Sequence, residues 1–266
     1  MKRTSFENYL EQSLKDFSTY VHQPVTRQEV LTTFFVPKMA NRISSYRPKD
    51  GTKNAIVLVG EYCCGKTTFA KKFVESHPEF TLISLDEFTG LELKRMTPKE
   101  LNQLESMDYI GNRDFGLELE KGHQNIIVDG NWLHMNSRGA LLKALDELNY
   151  HTCIFFFTPG IDSWECKIRN RCSEIVAAML CEIPMYELLI GTDPIKEFAT
   201  KMNLSTEAAK TLILLYPGFS SILEKEQYTQ KQTFIDANSF IQTKFHIWEF
   251  GADELCVVNP DIDPYI

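Results

Sequence analysis

The sequence lacks the features that mark a disulfide-bonded, zinc-binding or membrane-spanning protein. Its 7 cysteines form no Cys-x-x-Cys pair and no His/Cys cluster with the spacing of zinc ligands, which argues against a disulfide framework and a structural metal. No apolar run approaches the roughly 20 residues that a membrane-spanning helix requires. The first residues include Lys2 and Arg3 but no apolar stretch, so they do not resemble a secretory signal. These absences predict a cytoplasmic protein that does not interact with membranes.

Positive charge is also scarce. The 266 residues include 28 Lys and Arg against 36 Asp and Glu, which gives a net charge of −8. Proteins bind extended nucleic acid through a broad basic face, so this balance argues against such binding. It still allows a strand end to be held in a local basic pocket. The apolar share of 43% and the charged share of 24% are ordinary for a globular protein.

One stretch combines a short apolar run, a glycine-rich loop and the start of a helix. Residues 56–59 read Ile-Val-Leu-Val, and residues 60–67 read Gly-Glu-Tyr-Cys-Cys-Gly-Lys-Thr, the G-x-x-x-x-G-K-T pattern of a phosphate-binding loop. In such a loop, backbone N–H groups and the positive end of the helix face phosphate oxygens. Lys66 would reach the β- and γ-phosphates, and the Thr67 hydroxyl would bind Mg²⁺. The residues predicted to contact the nucleotide here are Gly60, Glu61, Tyr62, Cys63, Cys64, Gly65, Lys66 and Thr67.

Strand and helix patterns alternate around this loop. The predicted strands are Ala55–Val59, Phe80–Leu85, Asn125–Val128 and Thr152–Phe157, with a late strand at Phe245–Phe250 or Leu255–Val258. The alternation predicts a three-layer α/β/α P-loop NTPase fold with a mostly parallel central sheet. We expect a P-loop core over 51–185, with a helical N-terminal extension over 1–50. A mixed C-terminal extension over 186–266 would pack on the core, and the three parts could also form one domain.

The N-terminal extension has two interpretations. Apolar side chains recur at three- and four-residue steps from Phe6 to Val21, a spacing typical of an amphipathic helix. A second, shorter stripe follows Pro24. This pattern favours a helical hairpin packed on the core. The alternative is an extension that binds a partner or covers the substrate.

Acidic residues follow the second and third predicted strands. Asp86 can orient or deprotonate an acceptor hydroxyl, although an aspartate at this place can also cap a helix. Asp129 follows the apolar residues 126–128 and can bind Mg²⁺ through water or hold the acceptor. Its alternative role is that of a turn residue in Asp-Gly. Ligands of open α/β sheets bind at the carboxyl ends of the strands, where both acids would lie.

Basic residues follow the fourth predicted strand, at Lys167, Arg169 and Arg171. On a regular helix, side chains two residues apart point about 200° from each other, so Arg169 and Arg171 cannot both face one phosphate. Either one of them is a surface residue, or the segment loosens into a lid that closes over the phosphates. A solvated helix face also explains the three charges. Arg138, after the third strand, is a further candidate that could equally be exposed.

Together these segments resemble the P-loop kinases of the polynucleotide-kinase and zeta-toxin type, over about residues 55–172. The resemblance rests on the phosphate loop with a second threonine at position 68, Asp86, the Asp129-Gly-Asn-Trp-Leu segment with Arg138 after it, and Arg169-Asn-Arg171. One departure concerns residues 88–90, which read Phe-Thr-Gly where polynucleotide kinases often have an arginine. The identity of the acceptor therefore stays open.

The resemblance implies ATP and Mg²⁺ as cofactors. It places Thr68 near the α-phosphate, makes Asp86 the acceptor-side base, and puts Arg169 or Arg171 in a lid. The residues that it places around the acceptor are Asp86, Asp129, Asn131 and Arg138, and the metal would be held by Thr67 and Asp129.

These features predict a phosphotransferase that moves the γ-phosphoryl group of ATP to a hydroxyl of a small molecule or a nucleic-acid end. Lys66, Asp86, Arg169 and Arg171 are the predicted catalytic residues. The alternative is an ATP-binding or ATPase module that regulates a protein partner through its extensions. The sequence has no Asn-Lys-x-Asp segment, which argues against guanine as the base. The oligomeric state stays open.

Overall fold

The computed structural model describes residues 41–42, 46–60, 62–102, 104, 110–132, 135–157, 161–225 and 252–258. Three predictions lie outside these residues: the amphipathic stripes before residue 41, the loop residue Glu61, and the alternative late strand Phe245–Phe250.

A parallel sheet forms the centre of the molecule. Its six strands, in the order β1-β6-β5-β2-β4-β3, pair in parallel throughout the described part of the chain. The four strands predicted around the phosphate loop form the middle and one edge of this sheet, in the spatial order second, third, first, fourth. The predicted α/β P-loop NTPase fold is therefore confirmed. The strands are β1 Asn41–Arg42, β2 Lys53–Val59, β3 Phe80–Ser84, β4 Asn125–Asp129, β5 Tyr150–Phe157 and β6 Glu254–Val258.

Helices cover both faces of the sheet. Along β2, Ala55, Val57 and Val59 pack with α4 and α5 on one face, whereas Ile56 and Leu58 pack with α1 on the other. Strands buried on both faces read as unbroken apolar runs, which is why these segments were readable from the sequence. The helices are α1 Lys66–Ser76, α2 Leu85–Arg95, α3 Pro98–Asn102, α4 Asn112–Glu120, α5 Met135–Glu147, α6 Ile161–Cys181, α7 Met185–Leu189, α8 Pro194–Lys201 and α9 Thr206–Leu214.

The two ends of the chain differ in part from the prediction. Asn41–Arg42 lies within the segment predicted to be helical, yet it forms the edge strand β1 and pairs with β6. Without β1, the backbone N–H and C=O groups along one side of β6 would lack strand partners. An extended segment can pair with them and a helical segment cannot, which explains the difference. The late strand at Leu255–Val258 is confirmed as β6, which lies between β1 and β5.

Besides β6, which pairs with β5, the helices after residue 184 contact the core at two places. Helices α8 and α9 pack against α6 through a separate apolar cluster that includes Ile168, Phe198 and Ile213. Helix α7 lies against α2 at Gly90, where a Cβ atom would come within 2.7 Å of Ile190 Cγ2. A side chain at Gly90 would therefore push α7 away from α2.

Candidate functional site

The phosphate loop connects β2 to α1, and its two glycines are required by its geometry. A Cβ atom on Gly60 would lie 2.8 Å from Phe157 Cβ and 2.9 Å from Cys64 Sγ, so a larger residue would collide with β5 and with the loop itself. Gly65 has a φ of 98° immediately before the first helical residue, a conformation that favours glycine. The loop therefore has the tight form that lets successive backbone N–H groups face an anion.

Lys66 begins α1 and folds back over the loop. Its ammonium group donates a hydrogen bond to the Gly60 carbonyl at 2.8 Å, while Thr67 and Thr68 on the same turn are exposed. Cys63 belongs to the same loop. Burial raises the pKa of its thiol to about 12, against the lowering influence of Arg171. The thiol is thus neutral at physiological pH, and the fixed charge facing the loop is positive.

Asp129 ends β4 and is 1% exposed. Neither carboxylate oxygen meets full hydrogen-bond geometry with a partner among the described residues. Burial raises the pKa of this carboxyl group, while the nearby Thr67 hydroxyl, Lys66 and the Gly130 N–H act in the opposite direction. The structure therefore brings together the two residues predicted to bind the metal.

The oxygen atoms of Thr67 and Asp129 suit a hard cation such as Mg²⁺, which is usually held by one or two carboxylates together with substrate phosphates and water. In the described ranges, no group of three or more His, Cys, Asp or Glu side chains could hold a metal ion. A magnesium ion at this place would thus depend on the phosphates of a nucleotide for its remaining ligands.

Asp86 lies in the first turn of α2 at the end of β3. The helix is capped by Ser84, whose hydroxyl accepts a hydrogen bond from the Glu87 N–H at 3.4 Å, so the alternative interpretation of Asp86 as a helix cap is wrong. The serine occupies the capping position because the strand ends two residues before Asp86. This leaves the Asp86 carboxylate available for other contacts.

The carboxyl group of Asp86 is close enough to Lys66 and Arg171 for both cations to influence its pKa. Its side chain reaches solvent, yet protein atoms crowd around it and this desolvation raises its pKa, while Lys66 and Arg171 act to lower it. A carboxylate with a raised pKa that stays close to two cations is suited to accept a proton from a hydroxyl group.

The structure separates Arg169 from Arg171. Helix α6 is continuous through both residues, so the segment is not loosened in this structure. Arg171 Nε donates a hydrogen bond to the Tyr62 hydroxyl at 2.9 Å, which brings the guanidinium to the phosphate loop. Arg169 is exposed on another face of the helix. Arg171 is thus the arginine that contacts the phosphate loop, and Arg169 lies on the surface, since helical geometry requires the two side chains to point apart.

Arg138 supports the turn after β4. Its side chain is fully buried, so the alternative of an exposed arginine is wrong, and its NH1 group donates a hydrogen bond to the Trp132 carbonyl at 3.0 Å. Burial lowers the pKa of Arg138 to about 10. Asn131, on the turn itself, is exposed.

Trp132 was not singled out from the sequence, but it shapes the turn after β4, next to Asp129. Its indole packs over Gly130, where a Cβ atom would lie 3.1 Å from Nε1, and against Phe115 at a centroid distance of 5.7 Å. The only signal in the sequence was an aromatic residue shortly after Asp-Gly. Residues 88–90 also face inward, since Thr89 donates a hydrogen bond to the Ile110 carbonyl and Phe88 packs on Phe115. They serve packing where polynucleotide kinases often have an arginine.

Comparison with known protein families identifies this part of the chain. Residues 56–175 match a family model described as AAA domain. Over these residues the chain is similar to a P-loop AAA domain. The match includes the phosphate loop, both acids and Arg171, and it confirms the P-loop resemblance predicted from the sequence motifs. A P-loop AAA domain implies nucleotide binding. No curated protein matches the chain.

Solved structures offer only remote likenesses. A structure from the PezAT chromosomal toxin–antitoxin system of Streptococcus pneumoniae is 12% identical with a TM-score of 0.39, and the match covers 87% of this chain and 98% of that chain. Shikimate kinase from Bacteroides thetaiotaomicron is 13% identical with a TM-score of 0.31, covering 74% and 96%. A tRNA isopentenylpyrophosphate transferase from Staphylococcus epidermidis is 12% identical with a TM-score of 0.36, covering 80% and 95%. These scores are too low to bear on function.

Among the helices in the described ranges, none has both the length and the apolar character needed to cross a bilayer.

Proposed function

We propose that the protein transfers the γ-phosphoryl group of ATP to a hydroxyl group of a small molecule or a nucleic-acid end. The observation that carries the proposal is the position of Asp86 at the start of α2, close enough to Lys66 and Arg171 for both cations to lower the pKa of its carboxyl group. A site that only bound a nucleotide would need the loop but not an acid across from it. This acid gives the site a second half, where an acceptor can lose its proton.

The chain's own residues would divide the reaction between them. The loop N–H groups and Lys66 bind the phosphates, and Arg171 stabilises the charge that develops on the transferring group. As the acceptor oxygen bonds to the γ-phosphorus, its proton passes to Asp86, and ADP leaves with the electrons of the broken P–O bond. Thr67 and Asp129 would hold Mg²⁺, which when bound neutralises charge on the β- and γ-phosphates.

A transfer assay with γ-labelled ATP tests the proposal. The purified protein is offered nucleosides, sugars, amino-sugars and 5′-hydroxyl oligonucleotides, and we expect label in one of these classes. Asp86→Asn should keep ATP·Mg²⁺ binding while transfer falls by roughly 10²- to 10⁴-fold, the range typical of a lost general base.

Two outcomes would contradict the proposal. Label found only as free phosphate would favour the alternative of an ATPase module that regulates a protein partner. Normal turnover in the Asp86→Asn variant would remove Asp86 from the role of base. The control is Asp146→Asn, which removes an exposed acid on α5 and should leave transfer unchanged.

A further inference from the structure

The phosphate loop is tied to helix α6 by a contact that the loop motif does not require. The Tyr62 hydroxyl accepts a hydrogen bond from Arg171 Nε at 2.9 Å, and Glu174, one turn along α6, accepts another from Arg171 NH1 at 2.8 Å. Tyr62 occupies a variable position of the G-x-x-x-x-G-K-T pattern. The contact is therefore a property of this chain and not of the motif.

Packing alone does not explain the contact. Tyr62 is 42% exposed, so its ring is not fixed by burial in the core. Burial would lower the pKa of Arg171, but Tyr62 and Glu174 outweigh this influence and raise it. The guanidinium is thus held in place by two polar partners, Tyr62 on the loop and Glu174 on the helix.

We propose that Tyr62 is a positioning residue that, together with Glu174, holds the Arg171 guanidinium at the mouth of the phosphate loop in the orientation needed for phosphoryl transfer. The inference rests on the proposed function. A planar guanidinium has five N–H donors in a fixed fork, so two fixed bonds determine where the other donors point. Arg171 is also close enough to Asp86 to lower the pKa of its carboxyl group, and the transferring group would lie between the phosphate loop and this acid.

Positioning of this kind acts on the rate of the chemical step more than on nucleotide binding. A donor that is already oriented needs no reorganisation when charge develops, whereas a mobile arginine must first be ordered. Tyr62→Phe keeps the ring and removes the hydroxyl group that accepts the hydrogen bond from Arg171. We expect kcat to fall roughly 10-fold while the KM for ATP stays within about twofold, because the interaction matters in the transition state alone.

A double-mutant cycle tests the coupling. The rates of Tyr62→Phe, Arg171→Gln and the double variant are compared with the unaltered protein, and each variant is also melted with and without ATP·Mg²⁺. Once Arg171 is replaced, removal of the Tyr62 hydroxyl should have no further effect on kcat. Glu174→Gln should lower kcat in the same way as Tyr62→Phe.

Tyr150→Phe is the matched control. The Tyr150 hydroxyl donates a 2.8 Å hydrogen bond to the His123 carbonyl. This bond lies at the amino-terminal ends of the strands, away from the phosphate loop, so its loss should leave kcat unchanged. Additive effects of Tyr62→Phe and Arg171→Gln, or a loss in Tyr62→Phe confined to the KM for ATP, would overturn the inference.

The readout keeps this inference distinct from the proposed function. Total phosphate released from the γ-position, whether transferred or free, is measured for every variant. If the unaltered protein labels no acceptor, the proposed function fails, and the cycle is still read from ATP turnover. If transfer occurs but the cycle is additive, the proposed function stands and the role of Tyr62 is refuted.

Discussion

The two halves of the site are built in different ways. The nucleotide half is a continuous loop whose shape follows from Gly60, Gly65 and the start of α1, so nine neighbouring residues specify it. The acceptor half is assembled from side chains at the ends of β3 and β4, with residues far apart in the chain. A site that depends on backbone shape can be recognised from a local pattern, whereas a site assembled across a sheet depends on the fold.

The halves also differ in charge. Lys66 and Arg171 make the loop side positive, whereas Asp86 and Asp129 make the other side negative, and burial raises the pKa of both acids. Each cation lowers the pKa of Asp86. The charges of the two halves therefore influence each other directly. Replacing a charged residue in one half should change the pKa of an ionisable group in the other half.

Lys66→Ala should have the largest effect, because it removes the charge that grips the phosphates. ATP·Mg²⁺ at about 100 times its Kd stabilises a protein by about 2.7 kcal/mol, and we expect Lys66→Ala to lose this gain together with phosphoryl transfer. Thermal unfolding with and without ATP·Mg²⁺ measures it. Asp86→Asn serves as the control from the acceptor half and should keep the shift. An unchanged shift in Lys66→Ala would show that the lysine does not bind the phosphates.

The sequence was sufficient for the nucleotide half and for the middle of the sheet. Residues 56–59 are apolar on both faces of a buried strand, and the loop after them contains its glycines at fixed spacing, so both were predictable from local pattern. The separation of Arg169 from Arg171 also followed from helical geometry. The sequence did not show which of the two arginines faces the loop, because that depends on how α6 lies against the loop at Tyr62.

The acceptor half shows why the remaining features were missed. Ser84 caps α2 because β3 ends there, and the boundary between a strand and a helix is set by pairing with a neighbouring strand. The burial of Arg138 depends on the packing of α5 against the sheet. In both cases the deciding contact joins residues distant in sequence, so the local pattern of residue types could not predict it.

The two arginines of α6 provide the second test, with an intermediate effect. Arg171→Gln should lower transfer roughly 10²-fold, the usual loss for one donor that stabilises transition-state charge, whereas Arg169→Gln should stay within about twofold because surface changes rarely matter. Steady-state transfer rates measure both.

The same pair tests the electrostatic link between the halves. Because Arg171 lowers the pKa of Asp86, its loss should raise that pKa further. A base must be deprotonated to act, so the acidic limb of the kcat/KM profile should move to higher pH in Arg171→Gln and stay in place in Arg169→Gln. Equal shifts in both variants would contradict the placement of Asp86 beside Arg171.

Asp129→Asn should give the smallest effect, a gain in thermal stability in the absence of ligand. The folded protein holds this carboxyl group with a raised pKa, so the group favours folding below its ordinary pKa of about 3.9 and loses that contribution as pH rises through the folded value. At neutral pH the folded chain must bury a charge that the unfolded chain solvates. An amide of the same shape removes this cost, and a gain of about 1 kcal/mol would raise the Tm by about 2–4 °C.

Bound ATP·Mg²⁺ should make the unaltered protein more stable than Asp129→Asn, because Asp129 lies where the two halves of the site meet. With ATP·Mg²⁺ present, the carboxylate gains a cation that the asparagine cannot hold as well, so the unaltered protein should rise in Tm by more than the variant. Melting curves at about pH 7 and about pH 5 would show the ligand-free advantage of Asp129→Asn narrowing at the lower pH, as the buried carboxylate begins to protonate. Asp146→Asn, at an exposed site on α5, is the matched control. A variant less stable than the unaltered protein without ligand would mean that Asp129 is held by stronger hydrogen bonds than the structure shows.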